Sequence, residues 1–120
     1  MRYATRLQHV ANSLSKNLER RAYMLFMVIE RFRNRDAKAV YLRAKEQGRI
    51  LPEGLTYLGS WVEDNFDRCF QLMDCEDPRL FQQWTAHWED LVAFEFIHVV
   101  SSTEARDAAL SGQSLPHVGL

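Results

Sequence analysis

Between Met24 and about Ser102 the sequence offers four runs with strand character but only two helical stripes, and none of the four strands has a polar side. Side chains alternate across a strand, so each run divides into two sets. One set is Leu25, Met27 and Ile29; Leu58, Ser60 and Val62; Phe70 and Leu72; Phe94, Phe96 and His98. The other is Phe26, Val28 and Glu30; Tyr57, Gly59 and Trp61; Cys69, Gln71 and Met73; Ala93, Glu95 and Ile97. A sheet with one wet face shows a clean polar set, and here neither set is polar. Two helices cover one face, and the other would present an apolar patch of the size that marks an interface. The pattern therefore predicts a homodimer in which two open sheet faces meet. We assign the second set to that shared core, because it carries Glu30, Gln71 and Glu95 among bulky aromatics. A one-residue bulge would exchange the sets.

The elements follow from local signals. Met24 to Ile29 is a continuous apolar run closed by Glu30 and Arg31, which favours a buried strand. Asp36 stands as an N-cap before the stripe Ala37, Val40, Tyr41, Ala44, and Gly48 ends that helix. Strands are predicted over Thr56 to Val62 and Arg68 to Met73, with a hairpin at Glu63, Asp64 and Asn65. Asp77 and Pro78 open a second helix through Leu80, Phe81, Trp84, Trp88 and Leu91. The last strand runs from about Val92 to Val100, and from Ser101 the small polar residues read as a loose tail. The order βαββαβ is the split βαβ, or ferredoxin-like, α+β arrangement: a four-stranded antiparallel sheet with both helices on one face. The domain is expected over residues 24–102, with an extension over 1–23 and a flexible tail over 103–120.

Charge narrows the partners. Residues 1–23 hold Arg2, Arg6, Lys16, Arg20 and Arg21 against Glu19, a net of +4, and the remainder holds ten basic and fifteen acidic groups, a net of −5. An acidic domain lacks the basic patch that phosphate contacts require, so no nucleic-acid partner is expected. RNA-recognition domains share this element order, but they need a basic sheet with Gly-rich aromatic signatures. No apolar run approaches membrane-spanning length. Tyr3, Leu7, Val10 and Leu14 fall at helical spacing in the extension. Three readings compete for it: a translation start placed too early, which is favoured, then a helical arm, then a targeting segment. Cys69 and Cys75 would lie about 20 Å apart along an extended strand, too far for a disulfide. Two reduced thiols in the cytoplasm is the simple reading.

The strings Met24 to Phe32, Leu51 to Gly54, Ser60 to Val62, Arg68 to Met73, Trp88 to Val92 and Phe94-Glu95 resemble a family of short prokaryotic proteins, the domain-of-unknown-function 3303 family. That family is similar in turn to the dimeric α/β-barrel superfamily. The resemblance covers about Met24 to Ser102. It implies the ferredoxin-like fold and a sheet-to-sheet dimer, but no activity and no catalytic residue. Fold analogy cannot choose among the superfamily's enzymes and sensors.

Glu30 and Glu95 are the candidate catalytic residues. The first and last strands are neighbours in this fold, and two carboxylates on one apolar face would push one pKa up to neutrality. Each could instead pair with Arg31, Arg49 or Arg68. Tyr57, Trp61 and Gln71 are the candidate ligand-binding residues, with Gln71 orienting a hydrophobic or aromatic molecule; equally, they would serve a dimer core. Cys69 lies among them and reads as an inert small hydrophobe. No metal-ligand spacing, phosphate-binding glycine loop or nucleophile elbow is present, so neither metal nor cofactor is expected. The expectation is a small homodimer that binds or transforms a small molecule in its sheet-face cleft. The alternatives are a ligand-sensing module without chemistry and a purely structural dimer.

Overall fold

A computed structural model describes residues 24–115. The readings made for residues 1–23 and for the end of the tail lie outside the described residues. The elements are β1 (Met24–Phe32), α1 (Ala37–Gln47), β2 (Leu55–Val62), β3 (Arg68–Cys75), α2 (Leu80–Thr85), β4 (Val92–Val99) and α3 (Ser102–Ser111). The strands form one sheet in the order β2-β3-β1-β4, every neighbouring pair antiparallel. This is the expected ferredoxin-like α+β fold.

Local chemistry sets the boundaries. The Asp36 side chain accepts from the Ala39 amide at 3.2 Å, satisfying one of the donors left free at the start of α1. Gly48 closes α1 at φ 70° and donates its amide to the Ala44 carbonyl. In the β2–β3 turn the left-handed residue is Phe66, at φ 60°. The turn is held by the Phe66 amide on the Glu63 carbonyl and by the Asn65 side chain accepting from the Asp67 amide, both at 2.9 Å. The second helix is shorter than its apolar stripe suggests. Beyond Thr85 the chain continues as turns, which still bring Trp88 to the same side through amide bonds from Trp88 and Glu89 to the Thr85 carbonyl.

Where the sequence suggests a loose tail, residues 102–111 form α3. The Ser101 hydroxyl caps it by accepting from the Glu104 amide at 3.1 Å, and Gly112 ends it in the left-handed region. Alanines at 105, 108 and 109 favour the helix. None of its residues is buried.

The assignment of faces is corrected by the register. Phe26, Val28, Glu30 and Phe32 of β1 and Cys69, Gln71, Met73 and Cys75 of β3 are buried beneath α1 and α2, with Ala37, Val40, Phe81, Trp84 and Trp88 packed on them. The set assigned above to the open face is thus, for these two strands, the helix-covered one. On β4 the residues opposite Phe26, Val28 and Glu30 are His98, Phe96 and Phe94, so those three turn toward the helices. Phe81 packs on Phe96 at 4.6 Å between ring centroids and on Phe26 at 5.1 Å. In β2 a bulge between Tyr57 and Gly59 shifts the phase: Tyr57 faces Met73, but beyond it Ser60 faces Gln71 and Val62 faces Cys69. The open face therefore carries Leu25, Met27, Ile29, Gly59, Trp61, Phe70, Leu72, Ala93, Glu95, Ile97 and Val99. None of these is buried in the single chain, and Trp61 is 61 % exposed.

Candidate functional site

Glu30 sits near the end of β1, between Cys69 on β3 and Phe94 on β4. Its residue is only 8 % exposed. Above it the α1 residues Val40, Tyr41 and Ala44, the Gly48-Arg49 corner, and Trp84 and Trp88 close over the sheet. They leave a cavity of about 320 Å³, at the lower end of the size range of small-molecule sites. Phe32, Ser60, Val62, Cys69 and Gln71 complete its walls.

Arg49 stands at the mouth of this cavity, and its position is fixed through the backbone. The indole N–H groups of Trp84 and Trp88 both donate to the Arg49 carbonyl, each at 3.1 Å. Gly48 supplies the turn at φ 70° before it. The next residue, Ile50, takes φ 58°, a region β-branched residues rarely enter. Conformations of this kind cost about 1–3 kcal/mol and persist where surrounding contacts over-determine them; the two indole bonds do so here. The Arg49 guanidinium lies 3.4 Å from the centroid of the Tyr57 ring, and its Nη1 donates to Gln71 Oε1 at 3.4 Å.

A chain of polar groups runs on from there. The Tyr57 and Ser60 hydroxyls are 2.7 Å apart, the Cys69 thiol is hydrogen-bonded to Ser60, and Gln71 Nε2 donates to Met73 Sδ at 3.2 Å. The bulge in β2 is what lets Tyr57 and Ser60, three residues apart, share one face.

Electrostatics follow from burial. Desolvation lifts the Glu30 carboxyl from 4.5 to about 7, against the opposing pull of the Arg49 charge. Among the described residues no hydrogen bond or ion pair holds that carboxyl. Burial, and then the charge of Glu30, push the Cys69 thiol up to about 12. At neutral pH it is a thiol and a poor nucleophile. Cys75 is likewise buried and pushed up to about 11. Tyr41, at the rim, is raised by desolvation and by Cys69 and Glu30. Among the described residues no cluster of His, Cys, Asp and Glu could hold a metal ion, and no helix is long and apolar enough to cross a membrane.

Of the six residues singled out in the sequence, Glu30, Gln71, Cys69 and Tyr57 come together, on the helix side of the sheet and not in the open-face cleft expected. Glu95 and Trp61 do not join them. Glu95 lies opposite Ile29, on the other face and in solvent, so the two carboxylates never meet. Trp61 lies beyond the bulge and faces outward. What raises the Glu30 pKa is therefore burial and not a second carboxylate. Arg49, Ser60, Trp84 and Trp88 were not assigned to the site from sequence. The four-residue spacing of the two tryptophans marked a packing helix, and nothing local marks their shared bond to the Arg49 carbonyl.

A half-ionised carboxyl in an apolar-walled cavity can give or take a proton near neutrality, and an adjacent guanidinium can stabilise negative charge on a neighbouring oxygen. The profile of the family described as Domain of unknown function (DUF3303) matches residues 24–113, and the chain belongs to that family. Comparison with curated proteins and with solved structures finds no match.

Proposed function

We propose that this protein is a homodimer of the dimeric α/β-barrel type that binds a small hydrophobic or aromatic molecule in the cavity between helices and sheet. The observation that carries this reading is the Glu30 carboxyl, buried yet turned to an open cavity with no partner among the described residues. Such a group costs stability unless a ligand or reaction uses it. In this reading Glu30 is the catalytic base and acid, taking a proton from one atom of the bound molecule and returning it to another. Gln71 orients the ligand. Its present partners, a thioether and a long bond from Arg49, are weak ones to exchange. Tyr57 and Cys69 shape the wall, and Trp61 and Glu95 belong to the dimer face.

The dimer is supported by the apolar open face, which α1 and α2 leave bare. Burying Met27, Ile29, Leu72 and Trp61 against their copies removes that surface from water at about 25 cal/mol per Å². Two buried free thiols suit a reducing compartment such as the cytoplasm.

Native mass spectrometry of the full chain tests both parts. A dimer carrying an added small-molecule mass is expected, and a bare monomer refutes the dimer. For the cavity, a set of aromatic fragments should shift the indole N–H resonances of Trp84 and Trp88. Silence from every fragment at millimolar concentration refutes a ligand site, and binding without turnover would leave a sensing module.

A further inference from the structure

Among the described residues the arginines mostly sit beside carboxylates. Arg35, Arg43, Arg68, Arg79 and Arg106 each lie within 4.0 Å of an Asp or Glu oxygen. Arg49 has no such partner among those residues, although Glu30 is close enough to feel its charge. The fold nonetheless goes to some length to place it: a glycine corner, a left-handed isoleucine and two tryptophan N–H groups all fix its backbone at the cavity mouth. The Tyr57 ring then backs one face of the guanidinium. Of its five N–H donors, one is spent among the described residues, at 3.4 Å on the neutral amide of Gln71. The others remain at the edge of a cavity walled by Phe32, Val40, Trp84 and Trp88. A guanidinium held flat with free donors matches the oxygens of a planar anion.

We infer that the ligand of this cavity is an organic acid: a carboxylate, enolate or phenolate oxygen seats on the Arg49 guanidinium while the apolar body lies against Trp84, Trp88, Phe32 and Val40. This rests on the small-molecule site proposed above and specifies its substrate class. Discharging Arg49 with an anion also removes the charge that holds the Glu30 proton affinity down, so the bound acid finds Glu30 protonated and able to donate. The titratable or charged groups around Glu30 are Arg49 from the loop after α1, Tyr41 from α1 and Cys69 from β3. Toward it α2, the turn beyond it and β4 bring Trp84, Trp88 and Phe94.

The test is calorimetric titration of the full chain at pH 6.5 with 2-naphthoate and with its neutral counterpart 2-naphthamide. The expected result is that naphthoate binds at least tenfold more tightly. Arg49→Gln should erase that preference by lowering naphthoate affinity far more than naphthamide affinity. Its fold should survive, because the indole bonds go to the main-chain carbonyl, and circular dichroism checks this. Arg49→Lys, which keeps the charge but not the planar fork, should retain part of the preference. Equal affinity of the two probes in the natural protein overturns the acid-binding inference while leaving the cavity a ligand site. A preference that survives in Arg49→Gln overturns it as well. No binding of either probe at millimolar concentration sinks both readings.

Discussion

Replacing Glu30 by Gln should change how stability depends on pH, in a direction fixed by the structure. In the unfolded chain this carboxyl loses its proton near 4.5, whereas in the folded protein burial holds the proton until about 7. Between those values the folded state binds more protons, so stability falls as pH rises, and above about 7 the loss is complete. Below 4.5 both states are protonated and the cost is absent. A rise from 4.5 to about 7, at ~1.4 kcal/mol per tenfold in proton affinity, is worth about 3 kcal/mol. Glutamine has nearly the same shape and no charge to bury, so the variant escapes this loss. Urea denaturation, followed by the fluorescence of buried Trp84 and Trp88, should be run on both proteins at pH 4.5, 6 and 8. With urea slopes of about 1–3 kcal/mol per molar for small proteins, the variant's midpoint should gain roughly 1–3 M on the natural protein between pH 4.5 and 8. Carboxylates held low by arginines, namely Glu63, Asp77 and Asp90, are common to both chains and cancel in the difference. A gap that stays constant across this range would refute the claim that burial controls Glu30.

Other outcomes follow from single contacts. Tyr57→Phe removes the 2.7 Å bond to Ser60 but keeps the ring under Arg49; it should cost about 1 kcal/mol in urea melts and leave naphthoate preference intact. Gly54→Ala should lower the thermal midpoint, by about 1–3 kcal/mol in stability. Gly54 has φ +92°, and an added Cβ would stand 2.9 Å from Leu80 Cδ1 and 3.0 Å from Glu76 Oε2. Met27→Lys, on the open face, should turn the proposed dimer into a monomer by sedimentation, with helical content unchanged; a persistent dimer would move the interface elsewhere.

The alternation of the strands was legible in the sequence, and so were the element order and the α1 cap. What alternation does not carry is the phase of one strand against the next. On β1 and β3 both sets are apolar enough for either face. By alternation alone Glu30 and Gln71 mark a shared dimer core, whereas the register places them in the lining of a cavity under the helices. On β4 the choice turned on Glu95, which sits opposite Ile29 and not Glu30. The extra residue in β2 then separated Tyr57 from Trp61, which simple alternation had joined. Arg49 lay beyond sequence reading for another reason: its place depends on two indoles 35 and 39 residues away. The α3 helix was within reach, since Ser101 and Glu104 have capping-box spacing, but the small polar residues around them masked it.

The bulge in β2 behaves like a change of reading frame in a message read two letters at a time. Before it, odd-numbered residues look toward the helices; after it, even-numbered ones do. Deleting Leu58 alone would remove no core side chain and would restore simple alternation, leaving Leu55, Tyr57, Ser60 and Val62 toward the helices and Trp61 outward. Losing one residue elsewhere in β2 with the bulge kept would instead turn half of the strand over: either Leu55 and Tyr57 would face outward, or Ser60 and Val62 would, with Trp61 swung in beneath the helices. A one-codon loss at the exposed bulge should thus be better tolerated than one in the paired strand on either side. Single-residue length changes in β2 among relatives of this chain should fall at this bulge and not beside it.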